Sequence, residues 1–137
     1  EKRHERAASL AAACEAELLT GGSIDPDEMP FWVNAANAVV VTSEYEGFGL
    51  ACLEALACDV PVLSTPVGIS SFALAGLPGA LCAPFELEVW SAAARPLLDQ
   101  PDARVAGAGR AAPFSARRMA ERTIEAYRDI LRTAVID

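Results

Sequence analysis

Two β-branched apolar runs, Ala38-Val-Val-Val-Thr42 and Val60-Pro-Val-Leu-Ser64, constrain this chain more than any other feature. Neither run alternates with polar residues, so both read as strands covered on both faces, the condition inside a parallel sheet. Parallel neighbours need a crossover between them, and the intervening segment has room for a turn and one helix. Pro61 sits near the start of its run, where a missing N–H is tolerated. A βαβ unit is therefore the nucleus of the expected fold.

The flanking segments extend the alternation. Arg6 to Glu17 is alanine-rich and predicts a helix. Leu18-Leu19-Thr20 predicts a short strand, closed by Gly21-Gly22. Asp25-Pro-Asp-Glu28 predicts a helix start, with Met29, Trp32, Val33 and Ala36 following at helical spacing. The crossover helix is expected from about Phe48 to Cys58, and a weaker strand over Gly79 to Ala83. Later helices are expected over 86–98 and 102–111, and a last one over 114–134. That one starts at Ser115, with Phe114 and Met119 spaced as a hydrophobic staple and an apolar face of Met119, Ile124, Tyr127, Ile130 and Leu131. The 137 residues suit one α/β domain: a Rossmann-like parallel sheet with flanking helices. The chain opens abruptly on Glu-Lys-Arg-His without Met, so a piece of a longer protein is expected.

Composition removes several functions. Hydrophobic residues make up 53% of the chain, enough for a packed core rather than disorder. A net charge of −8 argues against nucleic acid as a partner. No apolar stretch has the length of a membrane span, and the charged start leads into no signal-peptide core. Cys14, Cys52, Cys58 and Cys82 form no C-x2-C pair, and His4 lies far from them in sequence, so reduced thiols in a cytoplasm are expected rather than zinc.

Chemistry is expected outside the carboxyl ends of the strands. The turn after the first valine run reads Ser43-Glu-Tyr-Glu-Gly-Phe-Gly-Leu50. Gly47 and Gly49 allow close approach of a ligand to the backbone. The N–H groups of Gly47, Phe48, Gly49 and Leu50 stand where the next helix starts, and its dipole favours an anion there. From Ala7 to Ala94 the chain has no Lys or Arg, so this cradle for phosphate is built without a local cation. Glu46 and Glu54 stand eight residues apart; as a continuous helix that is a rise of about 12 Å. The carboxylates are then too far apart for one metal ion and suited to opposite ends of an extended ligand, each accepting hydroxyl hydrogen bonds. A solvent-facing Glu54 is the bland alternative.

The full string Ser43-Glu-Tyr-Glu-Gly-Phe-Gly-Leu-Ala-Cys-Leu-Glu-Ala-Leu-Ala-Cys-Asp-Val-Pro-Val62 resembles the signature of retaining GT-B glycosyltransferases of family 4, with relatives among glycogen synthases. Gly22-Ser-Ile-Asp25, Glu28-Met-Pro30, Ala35 to Val39, Ser64-Thr-Pro-Val-Gly68, Phe114-Ser115 and Tyr127 extend the resemblance over nearly the whole chain. It implies the C-terminal, donor-binding domain of a GT-B fold, here incomplete. Glu46 would contact the transferred sugar, Gly47 to Leu50 would hold sugar and diphosphate, and Glu54 would take the ribose hydroxyls. Ile24, with Asp25, would lie by the base. A nucleoside-diphosphate sugar is the implied donor, with no metal or other cofactor. An N-terminal acceptor-binding domain is the implied missing partner. The expected place is the cytoplasm, with peripheral association of the longer protein at the inner membrane face left open.

Three departures accompany the resemblance. Asp59 replaces the glycine that usually follows the helix. Ile69-Ser-Ser71 follows Gly68, where the family often continues with a second Gly and then a Glu. The family's Arg and Lys for the diphosphate would lie upstream, so the isolated chain is expected not to catalyse transfer. A GT-B epimerase and a non-catalytic GT-B-like module are the alternatives. A response-regulator-like domain is excluded, because no acidic cluster ends a first strand.

Overall fold

Each strand is brief, and its burial follows from its place in the sheet. The computed structural model describes residues 2–22 and 24–134. Its three-stranded parallel sheet has the order β1-β2-β3: β1 is Val39–Val41, β2 is Val62–Ser64 and β3 is Leu81–Cys82. Val39 pairs with Val62 and Leu63 with Leu81. The central β2 is fully buried, whereas Val39 and Val40 on the outer β1 are only partly covered. Both-face burial, expected of both valine-rich runs, therefore holds for β2 alone.

Successive residues of β2 point to opposite faces. Val62 joins a core with Cys52, Leu53 and Leu56 of α3 (Leu50–Ala57), Ala73 of α4 (Ser70–Ala73), and Val105 and Ala111. Leu63 joins a second core with Leu10 of α1 (His4–Ala13) and Trp90, Ala94 and Leu97 of α5 (Leu87–Leu98). The fully buried Trp90 donates its indole N–H to the Pro84 carbonyl at 3.0 Å, so the largest core side chain has its polar atom satisfied. The sheet is thus covered by helices on both faces.

Several expectations are corrected. Leu18-Leu19-Thr20 is not a strand; Leu18 and Leu19 are 37% and 47% exposed. A short strand depends on its neighbour's ladder, and no described strand lies beside this segment. Helix α1 ends four residues before Glu17, because Glu15 turns left-handed (φ 54°) and Ala16 N–H bonds back to the Ala11 carbonyl. The segment after Asp25 is a turn; helix α2 is only Met29–Asn34, opened by Pro30 rather than Pro26. The expected helix over 102–111 shrinks to α6, Ala108–Ala111, followed by a 3-10 turn at Ala112–Phe114. Helix α4 was not expected. Helix α7 is Ala116–Ala134, and Ser115 caps it: its hydroxyl lies 3.4 Å from Arg118 N. Met119 is 67% exposed, and Phe114 packs edge-on to other aromatic rings instead of completing the staple. Ile124, Tyr127, Ile130 and Leu131 are also exposed along α7.

Asp59 has a positive role. It takes the left-handed conformation (φ 56°) after α3, and its Oδ1 accepts the N–H groups of Gly107 at 2.9 Å and Ala108 at 2.8 Å. The carboxylate therefore ties the end of α3 to the start of α6. Asp59→Ala loses both bonds and places an alanine in a strained conformation, an expected destabilisation of about 2–3 kcal/mol. Asp59→Gly relieves the strain and should lose about 1 kcal/mol. Urea unfolding that ranked Gly below Ala in stability would contradict this account.

Candidate functional site

The loop after β1 is built against the loop after β2. Thr42 and Ser43 are buried where the sheet ends. Thr65 N–H donates to the Val41 carbonyl at 2.9 Å, and the Thr65 hydroxyl donates to the Ser43 carbonyl at 2.6 Å. Farther along, Ile69 N–H donates to the Phe48 carbonyl at 2.7 Å. Gly68 makes this approach possible: a Cβ there would fall 2.4 Å from the Phe48 oxygen, and its φ is +51°. Ile69, which follows Gly68 here, thus serves as a backbone donor to the candidate loop.

Helix α3 begins at Leu50 rather than near Phe48, because Gly49 is left-handed (φ 94°) and forms its N-cap. Among the described residues, the N–H groups of Gly47, Phe48, Gly49 and Leu50 have no protein acceptor. They stand at the positive end of the α3 dipole. The later helix start changes the eight-residue spacing between the glutamates. Only Leu50 to Glu54 is helical, a rise of about 6 Å, and the rest is turn. Glu54 is exposed while Cys52, Leu53, Ala55 and Leu56 face the core. Its carboxylate is therefore available to a ligand or to water.

Glu46 is different. Its side chain is 17% exposed, and its Oε1 accepts from Ser43 Oγ at 2.7 Å and Lys2 Nζ at 2.6 Å. Arg3 and Arg6 lie 3.5 and 3.4 Å from Glu44 Oε1, and Arg6 also donates to the Thr42 carbonyl at 3.3 Å. The cradle expected to be free of cations therefore has Lys2 at its first carboxylate. Sequence distance concealed this contact: Lys2 and Glu46 are 44 positions apart. The cluster of Lys2, Arg3 and Arg6 opposite Glu44 and Glu46 was the only available hint.

The Lys2 hydrogen bond lowers the Glu46 pKa, aided by Ser43 and opposed by partial burial. A depressed carboxylate stabilises the folded chain above its unfolded value, and that contribution is lost as pH falls through the folded value. Wild type should thus exceed Glu46→Gln in melting temperature at pH 6, with the gap closing below about pH 4. A gap constant from pH 6 to pH 3 would remove the ion pair as its cause.

Ile24 is half-buried and Asp25 exposed, in the turn that leads into α2, which packs beside α3. Asp25 Oδ1 accepts the Asp27 N–H at 2.9 Å, so it orders its own turn. Among the described residues no hydrogen bond joins Ile24 or Asp25 to the 46–54 segment, and their neighbour Ser23 lies outside the described residues. An open depression lined by Pro66, Ser71, Leu74, Gly76, Leu81 and Cys82 lies beside β3 and does not include the Glu46 loop. Among the described residues, no group of three or more His, Cys, Asp and Glu is placed to hold a metal, and no helix is long and apolar enough to cross a membrane.

A family model described as "Glycosyl transferases group 1" matches residues 1–112. The D-inositol 3-phosphate glycosyltransferase of Frankia alni is 40% identical over 114 residues, 80% of this chain and 28% of the relative. The glycogen synthase of Mycobacterium tuberculosis strain H37Rv is 36% identical over 83 residues, covering 60% of this chain and 20% of that protein. Sucrose-phosphate synthase from Thermosynechococcus elongatus, a GT-B structure, superposes with a TM-score of 0.73 at 28% identity, over 94% of this chain and 34% of that one. The chain thus spans about a quarter of the length of the D-inositol 3-phosphate glycosyltransferases it matches.

Proposed function

Because this chain belongs to the group 1 glycosyltransferases, we propose that it is the donor-binding part of a retaining enzyme that moves a hexosyl group from a nucleoside-diphosphate sugar to an acceptor hydroxyl. The observation that carries this reading is the arrangement at the end of β1: a semi-buried Glu46, the open N–H groups of Gly47 to Leu50, and an exposed Glu54 one turn into α3. In the transfer, the bond from the sugar anomeric carbon to the diphosphate breaks, negative charge gathers on the diphosphate, and the acceptor oxygen bonds that carbon and passes its proton to the departing diphosphate oxygen. Amide donors and a helix N-terminus are suited to receive that charge. Glu46 takes hydroxyls of the transferred sugar, exchanging its Lys2 contact for them. Glu54 takes the ribose hydroxyls, and the backbone near Ile24 and Asp25 meets the base.

No metal is required on this reading, because amides and side-chain cations bear the leaving group's charge. The acceptor-binding domain and further cations come from the longer polypeptide, and the isolated chain does not turn over. The enzyme works in the cytoplasm, where its free thiols stay reduced. Calorimetry with UDP-, GDP- and ADP-sugars on the full-length protein tests the reading. One base class should bind, and Glu54→Ala should weaken it about tenfold by removing hydrogen bonds to ribose. Indifference to all the donors would count against the site. Binding without transfer would favour a non-catalytic module.

A further inference from the structure

We propose that Phe114 is a positioning residue for the Gly47 to Leu50 cradle, acting through the ring of Phe48. The inference rests on the donor-binding reading and adds a residue far away in sequence.

Phe48 stands between Gly47, around which there is open space, and the left-handed Gly49. Such a segment is pliable unless something outside it holds it. Its carbonyl is held by Ile69 N–H at 2.7 Å, which fixes the peptide carrying the Gly49 N–H. That single restraint leaves Phe48 free to pivot about one hydrogen bond. The side chain supplies the second restraint. Phe48 is 47% exposed, so core burial alone does not fix its rotamer. Its ring meets Phe114 edge-on, with centroids 6.0 Å apart and planes at 64°.

Phe114 is itself well placed to hold another ring. It packs against the core that contains Leu56 and Ala111 and ends the 3-10 turn just before α7. Phe72, from α4, also meets it edge-on, at 6.2 Å and 85°. The loop after β1, helix α4 and the entry to α7 thus converge on one aromatic ring. An edge-to-face contact of this kind shifts a two-state equilibrium by about three- to tenfold.

The experiment uses the full-length enzyme and calorimetry with the nucleoside diphosphate and nucleoside monophosphate of its preferred base. Phe114→Ala and Phe114→Leu should weaken the diphosphate about three- to tenfold and the monophosphate less than twofold. Phe114→Tyr, which keeps the ring, should restore diphosphate binding. Melting temperature is measured beside affinity, and Phe114→Leu serves if the alanine variant does not fold. Equal weakening of both ligands, or no weakening in a protein whose wild type binds the diphosphate, would overturn the positioning role while leaving the donor-binding reading intact. A wild type that binds neither nucleotide would overturn both.

Discussion

Glu46→Gln in the full-length enzyme should lower kcat/KM for the sugar nucleotide by about 10²- to 10³-fold, roughly 3–4 kcal/mol of transition-state stabilisation. Glutamine keeps the size of the side chain and loses its charge and half its acceptor capacity. In the folded chain Glu46 is oriented by Ser43 at 2.7 Å and stands just before the amide cradle. It is therefore a pre-placed carboxylate rather than a flexible surface group. Loss of the Lys2 pair should lower the melting temperature only slightly, because Lys2 is 64% exposed. Steady-state kinetics on a variant with a near-native melting temperature checks this, and an unchanged kcat/KM would remove Glu46 from the reaction.

Gly68→Ala should be the most damaging single methyl group in the chain. The added Cβ would sit 2.4 Å from the Phe48 oxygen and 2.7 Å from its carbon, both backbone atoms that cannot rotate away. At φ +51° an alanine also carries left-handed strain. The expected loss is about 2–4 kcal/mol of stability, together with a drop in donor affinity of at least about tenfold as the Phe48 carbonyl leaves Ile69. Gly76→Ala is the control: its φ is +63° with no atom near the added Cβ, so it should lose only about 1 kcal/mol and bind donor normally. Calorimetry and urea unfolding on both variants separate steric displacement of the loop from backbone strain. Equal effects would mean that the Gly68–Phe48 contact is not what seats the cradle.

The parts of this protein legible in its sequence are those encoded over short distances. The valine run, the glycine pair and the apolar helix lie next to one another in the chain, and their order determined β1, the turn, α3 and β2, together with the family resemblance. Ser115 as the cap of α7 was legible for the same reason: capping is a local hydrogen bond. The failures are of another kind. Leu18-Leu19-Thr20 has strand composition, but a strand exists only where a neighbour's ladder meets it, and none of the described residues supplies one there. Asp59, a minor departure by sequence, joins two helices because Gly107 and Ala108 arrive beside it. The Lys2–Glu46 pair, the Gly68–Phe48 contact and the edge-on packing of Phe114 and Phe48 join residues from separate elements. The sequence by itself determined which backbone carries the open N–H groups at the start of α3. Only the tertiary structure decided what holds it, because those contacts depend on how helices and loops pack across the sheet, and no local periodicity records that.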